Sequence, residues 1–153
     1  MFTFFLFIKK CLTFLNSNES IENISFSLTM AFIFSLIPFN ILVHPLLLIG
    51  LVLFNGNLLI FLFITPILSL LTPHMHQEIH LIGDFILTFQ KAQPVYYKIA
   101  NWPIVNFTNW NNTVSMGAYT SSIIAALPLY FFYWSLLKLY RRFLLSKIKK
   151  VIV

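Results

Sequence analysis

The stretch ISFSLTMAFIFSLIPFNILVHPLLLIGLVLFNGNLLIFLFITPILSLL, residues 24–71, contains no Asp, Glu, Lys or Arg. A helix needs about 20 apolar residues to cross the hydrocarbon core of a bilayer, and this run supplies more than two such lengths. A second charge-free run, residues 114–137, is long enough for one further crossing. Across the chain 59% of residues are hydrophobic and 9% are charged. Too few polar residues remain to shield both runs from water in a domain of 153 residues. The sequence therefore predicts an all-α integral membrane protein, because in hydrocarbon a helix satisfies its own backbone polar groups within a single segment.

The long run is punctuated at Pro38-Phe39-Asn40, Asn55-Gly56-Asn57 and Thr72-Pro73, residue types that turn or end helices. These divide it into residues 24–37, 41–54 and 58–71, each about 21 Å long as helix and short of the ~30 Å core. Either Asn55-Gly56-Asn57 is the tip of a re-entrant hairpin behind one full span, or three short tilted helices cross a thinned or protein-filled region. Residues 24–71 are thus expected as broken transmembrane helices and residues 114–137 as the one full C-terminal spanning helix. At the start of the chain, residues 1–16 place Phe4, Phe7, Ile8, Cys11, Phe14 and Leu15 on one helical face. Thr3, Lys9, Lys10, Thr13 and Asn16 lie opposite. That is the pattern of an interfacial amphipathic helix; in a signal peptide the positive charges would precede the apolar core.

Lys138, Arg141, Arg142, Lys147, Lys149 and Lys150 follow the last span with no acid among them. Positive charge marks the cytoplasmic side, so residues 138–153 are expected as a basic cytoplasmic tail. Lys9 and Lys10 place the N-terminus on the same side. The number of crossings is then even, and residues 72–113 form an extracytoplasmic loop. Within it residues 80–89 suit a short helix, and Tyr96, Tyr97, Trp102 and Trp110 suit an interfacial belt. On the tail Lys138, Arg141, Arg142 and Lys149 share one stripe, which fits lipid headgroups rather than nucleic acid.

Catalytic chemistry finds little material. The acids are Glu19, Glu22, Glu78 and Asp84, which cannot assemble paired carboxylates or a Ser-His-Asp set, and no Gly-rich phosphate loop exists. A lone Cys11 excludes an internal disulfide. His74, His76, Glu78 and His80 are the only cluster with metal-ligand chemistry, and His76 and His80 share a helical face at i and i+4. Their order, His-Gln-Glu-Ile-His, lacks the zincin arrangement and follows Thr-Pro at a helix start, so it reads as imidazoles at the headgroup level, with no metal and no cofactor.

Small residues give a stronger pattern. Ser27, Ala31 and Ser35 recur at i, i+4 and i+8, as do Gly117, Ser121 and Ala125 in the last span, spacings that let helix backbones approach closely. The two stripes are expected to pack together, which would bring Asn111 and Asn112 near Pro38 and Asn40. Asn111 or Asn112 can cap the last helix. The remaining amides would be free to bond Asn40, Asn57 or a partner chain.

Leu36-Ile37-Pro38-Phe39-Asn40, Asn57 after an apolar half-helix, His76-Gln77, Asn111-Asn112-Thr113-Val114-Ser115-Met116-Gly117 and Tyr140-Arg141-Arg142 together resemble an uncharacterised family of bacterial inner-membrane proteins, domain of unknown function 2062, in its short branch. Where that family has glycines in the first span, this chain has Ser27, Ala31 and Ser35. The resemblance implies a multi-pass protein of the inner membrane of a bacterium with two membranes, partnered by a larger, singly anchored envelope protein. Pro38, Asn40, Asn57, Asn111, Asn112 and Gly117 are its candidate partner or structural residues. The function expected is a non-enzymatic subunit of a cell-envelope assembly, with lipid transport between membranes as its candidate process. The alternative is a small transporter or channel acting on a lipid or solute, motivated by broken helices and midplane Asn residues. A metal-dependent membrane enzyme stands third.

Overall fold

Ser20 opens the first described helix, α1 (Ile21–Leu36), by accepting a hydrogen bond from the Asn23 N–H at 3.1 Å, and Glu22 places a negative charge in its first turn. The helix ends at Ile37, whose ψ of 127° is extended, because the ring of Pro38 excludes the helical conformation from the residue before it. The structure, a computed structural model, describes the backbone of residues 19–152 and the side chains of residues 19–143. The helix expected at residues 1–16 and the side chain of Lys149 lie outside these described residues.

Five further helices follow: α2 (Val43–Leu53), α3 (Leu58–Ser69), α4 (His76–Thr88), α5 (Gln93–Ala100) and α6 (Thr113–Ile152). Three 3-10 turns, Thr72–Met75, Gln90–Ala92 and Val105–Thr108, join them. No strand occurs among the described residues. Within α6, Thr113–Phe143 is long and apolar enough to cross a membrane. Its 31 residues extend about 46 Å at ~1.5 Å per residue.

The turn between α2 and α3 is built by three consecutive residues. Asn55 adopts φ 54°, its N–H donates to the Val52 carbonyl at 3.1 Å, and the Gly56 N–H donates to the Leu51 carbonyl at 2.7 Å. This is the Schellman closure of a helix, with asparagine in the left-handed position. A side chain on Gly56 would meet the Leu51 carbonyl oxygen at 2.9 Å, so glycine is required there. Asn57 then caps α3 by accepting from the Ile60 N–H at 2.9 Å.

Side-chain contacts fix the directions of the helices. Ile24 meets Ile60 and the Ser35 carbonyl accepts from Thr72 Oγ1 at 2.8 Å, so α1 and α3 run parallel. Between these ends α2 returns, with His44 edge-on to Phe34 and Phe54 edge-on to Phe26. The last helix runs antiparallel to α1: Leu36 and Ile37 cluster with Ala118, and Ile24 with Leu137. Met30, Ala31, Leu51 and Phe61 close the core among α1, α2 and α3. Ser25, Ser27, Thr29 and Ser35 each donate to a carbonyl one turn back at 2.7–2.9 Å, which satisfies hydroxyls inside an apolar bundle.

The most extensive packing joins α4 to α6, and two glycines allow it. A methyl group on Gly83 would overlap the Thr113 carbonyl oxygen, and one on Gly117 would overlap the Ile79 carbonyl oxygen. The two backbones are therefore in direct contact, with Cα hydrogens where side chains would stand. Residues 72–113, expected as a loop, thus supply a bundle helix, and it begins at His76 rather than His80. The α3 helix and the 72–88 segment meet at a bend of 56°.

The two helices that carry the small-residue stripes, α1 and α6, do pack against each other, but the stripe residues have close contacts on other elements. Gly117 meets Ile79 and Gly83 of α4. Ser27 meets Asn57, Ala31 packs with Leu51 and Phe61, and Ser35 receives Thr72. The reason is shape. A glycine facing another glycine admits backbone contact, whereas serine and alanine leave room for one more side chain or a hydrogen bond. Ser121 has a buried hydroxyl without a partner among the described residues, and Ala125 is half-buried.

Candidate functional site

The end of the bundle where α1 stops and α6 starts is assembled from capping asparagines. Asn40, 4% exposed, accepts through Oδ1 from the Leu42 and Val43 N–H groups at 2.9 and 3.0 Å, and so opens α2. Its Nδ2 donates to the Phe107 carbonyl at 2.8 Å, while its backbone N–H donates to His44 Nδ1 at 3.2 Å. At the start of α6, Asn112 Oδ1 accepts from the Val114 and Ser115 N–H groups at 2.9 and 3.2 Å. Asn112 is therefore the cap of the last helix.

Between these caps the Val105–Thr108 turn is pinned by its carbonyls. Phe107 is held by Asn40, and the Tyr119 hydroxyl donates to the Thr108 carbonyl at 2.6 Å. Asn109 then turns the chain with φ 53°, a conformation that asparagine tolerates better than most residues. Tyr96 of α5 stacks edge-on to Trp110 with ring centres 5.4 Å apart and donates to the Ile86 carbonyl at 2.9 Å. His80 Nδ1 lies 2.7 Å from Thr113 Oγ1, tying α4 to the first residue of α6.

Two depressions result. An open basin of about 670 Å³ is lined by Pro38, His76, Asn109, Asn111, Asn112, Val114 and Ser115. Beside it runs an apolar groove of about 470 Å³, lined by Ile33, Ile37, Val43, Leu47, Thr108, Trp110, Met116, Tyr119, Ser122, Ile123 and Ala126. Neighbouring residues face different depressions at 37 and 38, at 108 to 112 and at 115 and 116, so these segments form the common wall. No Asp, Glu, Lys or Arg lines either one. The basin offers neutral hydrogen-bonding groups, and the groove offers apolar surface.

Of the residues singled out in the sequence, Pro38, Asn111 and Asn112 converge on the basin. Asn40 lies behind its wall with its side chain engaged. Asn57 is remote, at the α2–α3 turn, where its N–H donates to Ser27 Oγ at 2.6 Å. Asn111 is exposed, and its side chain bonds to nothing among the described residues. His74, His76, Glu78 and His80 do not converge, and among the described residues no three His, Cys, Asp or Glu side chains are grouped to hold a metal. At the far end of α6, Lys138 Nζ stands 4.4 Å above the Trp134 ring, and the Trp134 indole N–H points to Glu22 Oε1 at 3.5 Å. Hydrogen bonding from its own backbone N–H, and then from Trp134, holds the Glu22 carboxyl below the usual range, with Arg141 adding to the effect.

Gly83 and Tyr119 escaped the sequence reading, although both position this site. An isolated glycine inside residues 80–89 was the available signal for Gly83, since such a residue in a helix usually has a packing reason. Tyr119 carried no local signal, because its partner is a carbonyl eleven positions away. Comparison with protein-family models, curated proteins and solved structures finds no match.

Proposed function

We propose that this chain is a multi-pass protein of a bacterial inner membrane, with both termini cytoplasmic, that serves without catalysis as a subunit of a cell-envelope assembly. In this reading the amide-lined basin faces away from the cytoplasm and contacts a larger, singly anchored partner, and the assembly moves lipid between membranes. The observation that carries it is the convergence of Pro38, Asn109, Asn111 and Asn112 at one end of the bundle, with the Asn111 amide unengaged. Lys138 and Arg141 lie on the same helix as Ser115 but more than twenty positions on, about 35 Å away at ~1.5 Å per residue. That distance fits opposite faces of a membrane.

Embedding in lipid is supported by the surface. Phe39, Ile41, Leu53, Phe54, Ile123, Ile124 and Leu127 are among many large apolar residues left exposed, side chains that hydrocarbon solvates better than water does. The hairpin of α2 and α3 favours the re-entrant arrangement. Its tip reaches the level of Ser27 and Phe26, and α2, with 11 residues, is about 16 Å long. Direct transport has less support, because Asn40 and Asn57 are both engaged as helix caps.

The test is isolation of tagged chain from membranes. A single larger membrane protein should co-purify with the wild type and be lost in Asn111→Ala combined with Asn112→Asp, which keeps the capping oxygen and removes the amide donor. Retention of the partner by that variant at wild-type abundance, or solute flux by the purified chain alone in liposomes, would overturn the proposal.

A further inference from the structure

Ser115 is 6% exposed and lines the basin at the start of α6, and its hydroxyl makes no hydrogen bond among the described residues. The unpartnered hydroxyls of Ser121 and Ser122 are sealed inside the bundle; that of Ser115 is not, and the basin is the space it opens on. Its neighbours add donors. Asn112 commits Oδ1 to the Val114 and Ser115 N–H groups at 2.9 and 3.2 Å, so what it leaves for the basin is its Nδ2 donor. The Asn111 amide is exposed and unengaged, and Asn109 and His76 complete the polar lining.

These groups surround the first turn of a helix of 40 residues. Aligned peptide dipoles place about half a positive charge at such an end, which attracts an anion. No Asp or Glu lines the basin to repel one. Glu78 stands two positions after His76 and so lies on a different face of α4. Because no Lys or Arg lines the basin either, hydrogen bonds rather than an ion pair must hold the anion, and a ligand with several acceptor oxygens uses them best. The open volume of about 670 Å³ is ample for a phosphate together with its substituent.

We propose that the basin binds a phosphate group, carried by a phospholipid head or free in solution, with the Ser115 hydroxyl, the Asn111 and Asn112 amides and the His76 imidazole donating to its oxygens. Phe39, next to Pro38, is 83% exposed, which sets this end of the bundle where apolar chains give way to headgroups. The proposal deepens the reading of the basin and rests on it in one respect: a headgroup held here lies at the end that the envelope partner meets, where lipid would be handed on.

The experiment uses full-length chain, without partner, in a maltoside detergent, with asparagine side-chain amides labelled with nitrogen-15 and followed by nuclear magnetic resonance. Titration with inorganic phosphate should shift the Asn111 and Asn112 signals saturably and leave Asn55 and Asn57, at the remote α2–α3 turn, unmoved. Ser115→Ala should weaken the binding roughly tenfold, the worth of one hydrogen bond to a charged group. Asn111→Asp, a change at an exposed position, sets a negative charge in the basin and should abolish the saturable shift. Dihexanoyl phosphatidylglycerol separates the two sources: tighter binding than inorganic phosphate assigns the site to a headgroup, and equal or weaker binding assigns it to the free ion.

Equal shifts at all four asparagines, shifts reproduced by chloride at the same ionic strength, or wild-type affinity in Asn111→Asp would overturn the proposal. So would acetate binding as tightly as phosphate, which would give the basin to a carboxylate of the partner protein. The partner is read separately, by co-purification. A chain that keeps its partner but shows no saturable phosphate shift refutes the phosphate site alone, whereas a chain that binds phosphate without any partner refutes only the envelope reading.

Discussion

Gly117→Ala should push α4 and α6 apart. The added methyl overlaps the Ile79 carbonyl oxygen and stands 3.0 Å from the Gly83 nitrogen. Both are backbone atoms of a helix, so neither can rotate away as a flexible side chain would. Overpacking of this kind costs about 1–3 kcal/mol. Loss of the close Cα–H···O contacts adds about 0.5–1 kcal/mol each, and the better helix propensity of alanine returns up to ~1 kcal/mol. The net expectation is a destabilisation of about 1–4 kcal/mol. Gly83→Ala should behave alike, since its methyl overlaps the Thr113 carbonyl oxygen. Gly50→Ala is the internal control. There the nearest atom to an added methyl is Met30 Cε at 3.9 Å, an ordinary contact, so the change should be neutral or stabilising by up to ~1 kcal/mol. Reversible unfolding in mixed detergent micelles, followed by far-ultraviolet circular dichroism, reads the three variants together. If Gly117→Ala and Gly83→Ala unfolded at the same midpoint as Gly50→Ala, the backbone contact between α4 and α6 would not exist in the protein.

Ser27→Ala leaves the Asn57 N–H, now 2.6 Å from Ser27 Oγ, without its acceptor and should cost about 1–3 kcal/mol in the same assay. Ser25→Ala removes only a bond within its own helix and should cost less. A cysteine at Gln93 in a Cys11→Ser background should react with an impermeant reagent from outside the inner membrane; labelling only from the cytoplasmic side would reverse the topology. For Glu22, the folded carboxyl is held below its ordinary value of 4.5, so its stabilising contacts are complete above that value and are lost as pH falls through the lower folded one. Trp134 emission should therefore change in acid below pH 4.5, and Glu22→Gln should abolish that change; an identical titration in the variant would show that another group is responsible.

Local chemistry made much of the helix plan readable. Pro38 ends α1 through its effect on Ile37. Asn55, Gly56 and Asn57 close one helix and cap the next with their own backbone and side-chain atoms. Asn112 caps α6 with an oxygen two and three residues from its donors. In each case the deciding interaction spans a few residues, so residue type and spacing contain it. The site was only half legible. The convergence of Asn111 and Asn112 with Pro38 was expected from the packing of α1 on α6, which the structure has through Leu36, Ile37 and Ala118; unforeseen were α4 against α6 through Gly83 and Gly117, and Asn40 held to Phe107.

The sequence by itself determined that the described chain is helical, where the run 24–71 breaks, and that one long apolar helix covers residues 114–137, which the structure extends to Thr113–Phe143, because hydropathy, proline and asparagine act locally. Tertiary structure alone decided which faces meet. In α1, α2 and α3, so largely apolar, no charged side marks the outside, so the partner of each face is chosen by shape, whereas α4 turns its polar residues outward and buries Ile79 and Gly83. Two glycines fit backbone to backbone where serine and alanine do not, and that fit carries α4 out of the expected loop and into the bundle. The groove is a product of the same choice. Its walls come from residues as far apart as Ile33 and Ala126, which only the packed fold brings together.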